Sequence, residues 1–163
     1  MPMHRLFLIT LSFAVLVVIA GLGFSSAPVL RTFSAAAQTK TAANKVAIQV
    51  NQNDKAVMDL ALNNAKNIIE YYKEKGETVA IEIVTYGPGL HMLRADTSPV
   101  KERIAPMSLE NPNLAFIACG NTQANQAKAE GKPVTLISEA TVMPSGVVRL
   151  MELQKQGYAY IRP

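Results

Sequence analysis

Short β-branched runs alternate along this chain with longer stretches whose apolar residues recur every three or four positions, and this alternation constrains the fold most. Residues 45–50 (KVAIQV), 79–86 (VAIEIVTY) and 113–118 (NLAFIA) read as buried strands. Between the first two, residues 54–75 place Val57, Leu60, Ala61, Ala65, Ile68, Ile69 and Tyr72 at helical spacing, and Gly76 follows as a stop. Strands that are apolar throughout, separated by helices, predict βαβ units and a mostly parallel sheet covered on both faces. About five strands are expected. Residues 134–137 read as a weak fourth strand or an extended link, and residues 158–161 as the last strand.

Shorter helical patterns fill the rest. Residues 90–95 and 99–107 suit brief helical turns, and residues 123–130 form a helix-compatible stretch closed by Gly131. Pro144, Ser145 and Gly146 open a helix through Gln156, with Val147, Leu150, Met151 and Leu153 expected to face inward. In a parallel sheet ligands gather at the carboxyl ends of the strands. The segments expected there are residues 51–54, 86–89 and 119–122.

The first 44 residues follow other rules. A basic start at Met1 to Arg5 precedes an almost unbroken apolar run over residues 6–24, and no acid occurs before Asp54. This is the pattern of a secretory signal, with Ala35, Ala36 and Ala37 supplying small side chains for a cut before Gln38. The run is also close to the ~20 apolar residues that a membrane helix needs, so an uncleaved anchor competes with cleavage. Either outcome places the remainder outside the cytoplasm, in a periplasmic or comparable compartment. The expected organisation is a signal peptide or anchor over residues 1–37, a flexible linker over 38–44 and one domain over 45–163. Membrane contact is expected only through the N-terminal segment.

Beyond Ala37 the chain carries 14 basic and 12 acidic residues, interspersed in sign with no basic stripe, which disfavours nucleic-acid binding. No Ser/His/Asp set, carboxylate pair or zinc-ligand spacing stands out, and no metal or cofactor is expected. Asp54, Asp59 and Glu82 read as ordinary surface acids. Asn63, Asn64 and Asn67 are poor helix formers within the long helix, and their role stays open between contacts and solvent.

The single cysteine, Cys119, stands out. It follows the third strand directly, and Gly120, Asn121 and Thr122 lead into the next helix. A thiol near a helix start meets unpaired N–H groups and the positive end of the dipole, which favour thiolate. A lone thiol outside the cytoplasm must be reactive, buried or paired with another chain. Gly87 and Gly89 in the Tyr86-Gly87-Pro88-Gly89 turn either bring backbone amides to a ligand or simply make a tight turn. His91 is a candidate proton-transfer partner if its loop covers the thiol, and otherwise a solvated side chain.

Four segments in order, LALNNAKNI, YGPGL, FIACGNT and PSGVVRLMELQKQGYAYIRP, resemble the DsrE/DsrF-like family, in particular its small exported branch. The resemblance spans residues 45–163. It implies a three-layer, flavodoxin-like sheet and assembly into a homo-oligomer, a trimer or hexamer. It also implies a sulfur carrier in which a loop cysteine, here Cys119, holds a persulfide received from a donor protein and passed to an acceptor. Gly120, Asn121 and Thr122 would then steady the sulfur, with Gly87, Gly89 and His91 as the opposite wall. The competing expectation is a non-catalytic, oligomeric small-ligand-binding module in which Cys119 is structural. A quinone- or flavin-binding electron carrier is a third reading, resting on sheet topology alone.

Overall fold

The computed structural model describes residues 44–163. The expected leader over 1–37 and the expected linker up to residue 43 lie outside the described residues, while Asn44, expected as the linker's last residue, begins the first strand. No helix among the described residues is long and apolar enough to cross a membrane.

Among the described residues five parallel strands form one sheet: β1 (Asn44–Val50), β2 (Val79–Thr85), β3 (Leu114–Cys119), β4 (Ala140–Met143) and β5 (Ala159–Ile161). Their order across the sheet is β4-β3-β2-β1-β5. Four helices join them: α1 (Lys55–Glu74), α2 (Lys101–Glu110), α3 (Gly120–Glu130) and α4 (Gly146–Lys155). A 3-10 segment, Gly87–Leu93, precedes α2. The α/β class, the five strands and the three layers agree with the sequence expectation.

Topology explains how the layers fill. From β1 to β4 each connection steps the same way across the sheet, and right-handed crossovers put the intervening helices on one face. The chain then returns from β4 past β1 to β5, so α4 must cross the other face. The first face buries Ile48, Val50, Ile81, Ile83, Leu114 and Phe116 beneath Met58, Ala61, Leu62 and Ala65 of α1, Leu90, Met92 and Leu93, and Ile104 of α2. The second face is smaller, with Ala47, Val84 and Ile117 beneath Leu150 and Leu153 of α4.

Several local expectations change. The buried face of α1 is led by Met58 and Leu62, and Leu60 is 45% exposed. The true stripe is a single 58-61-62-65 series, whereas the expected one mixed in flanking apolar residues. On α4 only Leu150 and Leu153 reach the sheet among the four expected, while Val147 and Met151 stay about half exposed. The fourth strand is Ala140–Met143, and residues 134–137 contribute only an isolated antiparallel bridge between Arg94 and Leu136.

Glu82 is not a surface acid. It alternates toward α4 with Val84, is 9% exposed, and pairs with Arg149 through Nε at 2.8 Å and Nη2 at 2.5 Å. Asp59 binds Lys55 at 2.5 Å and Arg103 at 2.6 Å, and Arg103 also donates to Asn63 at 2.7 Å. One residue of the asparagine group therefore links α1 to α2.

Candidate functional site at the end of β3

Cys119 is the last residue of β3 and the N-cap of α3. Because β3 leads into α3 while β4 leads into α4 on the opposite face, the chain parts between these two neighbouring strands. Such a switch point opens a crevice at the strand ends, and in parallel sheets ligands bind there. Two helix starts flank it. One is the first turn of α3, and the other is the first turn of α4, where Ser145 caps the helix by accepting from the Val148 amide at 3.4 Å.

The strand alternation that sends Ala115 and Ile117 to the second face sends Cys119 the same way, toward α4. The residue is 5% exposed. Burial pushes its thiol pKa up, but the dipoles of the Thr122 hydroxyl and of the backbone N–H groups of Gly146, Thr122 and Asn121 favour the thiolate and bring it below the ordinary thiol value. The groups that act on the sulfur most strongly are thus uncharged dipoles. The Asn121 amide also donates to Pro144 O at 3.1 Å, which stitches the start of α3 to the end of β4.

The residues expected around the thiol divide into three groups. Gly120, Asn121 and Thr122 form the first turn of α3 beside the sulfur. Gly87 joins them through its amide, which donates to Thr122 Oγ1 at 2.9 Å, and its φ of +53° is one that glycine adopts readily. Gly89 packs elsewhere: a Cβ there would lie 2.2 Å from Val50 O, so the glycine lets the 3-10 segment press against the end of β1. His91 forms its hydrogen bond with Thr97 Oγ1 at 2.8 Å, not with the sulfur.

His91 instead lines an open groove of about 450 Å³ with Asn53, Gly87, Pro88, Thr122, Asn125 and Gln126. Thr122 is shared between the groove and the thiol. Behind the groove, Arg94 is 2% exposed and holds Asp96 through Nε at 2.9 Å and Nη2 at 2.8 Å. The same guanidinium binds Glu130, with one contact at 2.9 Å, and donates to Gln126 Oε1 at 3.2 Å. Gln126 donates in turn to Gly87 O at 3.3 Å. The network clamps the far end of α3 to the 3-10 segment, which keeps Thr122 and Gly87 in register.

Sequence reasoning missed two parts of this arrangement, the Arg94 clamp and the position of the α4 start beside Cys119. The second follows from the misplaced fourth strand, since residues 134–137 would not have delivered Gly146 to the end of β3. Among the described residues no three or more His, Cys, Asp or Glu side chains converge as metal ligands would.

Compared with solved structures, the chain is similar to a protein of unknown function, MTH1491, from Methanobacterium thermoautotrophicum. The two are 29% identical with a TM-score of 0.63, over 74% of this chain and 99% of that one. No protein-family profile matches the chain, and neither does any curated protein. The similarity supports the α/β architecture and brings no activity with it.

Proposed function

We propose that this protein is an exported sulfur carrier of the DsrE/DsrF-like kind, in which Cys119 receives a sulfane sulfur and hands it to an acceptor thiol. The observation that carries the reading is the placement of Cys119 at the β3–β4 switch point, N-cap of α3 and packed against the first residue of α4, where Thr122 and the nearby backbone amides favour its thiolate. In the loading step the Cys119 thiolate attacks the outer sulfur of a hydropersulfide donor, R–S–SH. The new S–S bond forms on Cys119, the donor S–S bond breaks, and R–S⁻ leaves with the electron pair. Delivery reverses the roles: an acceptor thiolate attacks the outer sulfur and Cys119 departs as thiolate. No net oxidant is needed. Export rests on the basic and apolar N-terminal segment. Assembly into a homo-oligomer is supported by the outer side of α4, where Val147, Val148 and Met151 stay about half exposed.

The test is intact-mass measurement after incubation with glutathione hydropersulfide. A gain of about 32 Da that dithiothreitol removes and Cys119→Ser abolishes supports persulfide formation. An unchanged mass under conditions that persulfidate a free cysteine peptide overturns it. The low exposure of Cys119 favours a second reading, a small-ligand-binding module with a packed thiol. That reading expects iodoacetamide to react with the folded protein only as fast as it unfolds.

A further inference from the structure

Gly146 carries an inference beyond the sulfur chemistry. It is the first residue of α4, buried, and it packs directly against Cys119 across the switch point, where its amide favours the thiolate. A Cβ at this position would lie 3.1 Å from Tyr86 Cβ, 3.3 Å from Cys119 Cβ and 3.3 Å from Thr85 O. Contacts at 3.1–3.3 Å are tighter than ordinary van der Waals distance, and the Thr85 carbonyl belongs to a buried central strand that has little room to yield. A side chain here needs Tyr86, Cys119 or the start of α4 to give by a few tenths of an ångström. Its φ is not in the left-handed region, so glycine is needed here for space and not for backbone conformation.

We infer that Gly146 is a positioning residue for Cys119: the missing Cβ lets the first turn of α4 close on the sulfur, so that two helix starts from opposite layers hold it. The inference rests on Cys119 acting as a nucleophile, as proposed above, but concerns how its thiolate is held and not what it attacks. The titratable and charged groups nearest on the packed elements are Tyr86 at the end of β2, whose phenol burial pushes up, and the Glu82–Arg149 pair between β2 and α4. The Tyr86 phenol, held above its ordinary value, titrates above the thiol.

The test uses the purified full-length chain. Iodoacetamide rates against pH give the thiol midpoint for wild type, Gly146→Ala and Ser145→Ala. Gly146→Ala is expected to raise the midpoint, with the rate at pH 7 falling about three- to tenfold. Ser145→Ala removes the cap but keeps the Gly146 amide, so it should lower Tm and leave the midpoint in place. If Gly146→Ala does not fold, the wild-type Gly146 amide resonance serves instead, and should titrate with the thiol and stop doing so in Cys119→Ser. An unmoved midpoint in a folded Gly146→Ala, or an amide that ignores the thiol, overturns the inference. Either result is independent of whether a persulfide forms.

Discussion

The Gly87 amide donates to Thr122 Oγ1 at 2.9 Å, and the same hydroxyl lowers the pKa of the Cys119 thiol. A hydroxyl that accepts one hydrogen bond through its oxygen has its proton left to donate. The loop after β2 therefore holds the Thr122 oxygen and leaves its proton free for the thiolate. Thr122→Val keeps the shape and removes both bonds. It should slow Cys119 alkylation at pH 7 several-fold and shift the pH–rate midpoint upward, and an unchanged profile would show that the backbone amides suffice.

The thiol also leaves a mark on stability. Its folded pKa is lowered, so between that value and the ~8.5 of an unfolded thiol the native state has released a proton that the unfolded state still holds. Stability then rises with pH through that window and levels off above it. Urea midpoints measured from pH 6 to 9 should show this rise in wild type and lose it in Cys119→Ser.

Arg94 is the buried centre of an ion-pair group whose partners reach solvent. Removing one member of a fully buried pair costs about 3–5 kcal/mol. Asp96 and Glu130 can rehydrate, so Arg94→Ala is expected to cost about 2–3 kcal/mol in urea unfolding. Arg94→Met, which keeps the aliphatic stem packed, should cost less.

The same carboxylates set the acid limb. Arg94 holds both Asp96 and Glu130 below the usual carboxylate range. Depressed folded values give stability that is present above about pH 4 and fades as pH falls through the folded pKa values. Glu130→Gln should flatten that decline between pH 4 and 2, measured by circular dichroism.

Two glycines provide a matched comparison. Gly89→Ala drives a Cβ to 2.2 Å from backbone, and is expected to cost about 3 kcal/mol or more. Gly131→Ala meets nothing within 4 Å and bears only the strain of its φ of +67°, about 1 kcal/mol. Equal losses in the two variants would remove the close-packing account of the 3-10 segment.

Much of this could be read from local pattern. The first three strands and the long helix are legible because burial on two faces demands apolar β-branched runs, and one buried stripe demands steps of three and four. Cys119 is legible too, since a strand running into Gly-Asn-Thr locates it at a helix start. What local pattern could not supply is which distant segment meets it. Strand β4 is four residues of modest apolarity, and Val142 points outward, so it gave a weaker signal than the link at residues 134–137. Glu82 and Arg94 carry no local sign of burial: Arg149 lies 67 residues from Glu82, and Glu130, which ties Arg94 to α3, lies 36 residues from it. The order of the strands and the crossing of α4 to the other face are decided by the whole chain at once. Crossover handedness and packing fix them, and they alone bring the amide of Gly146 to the sulfur of Cys119.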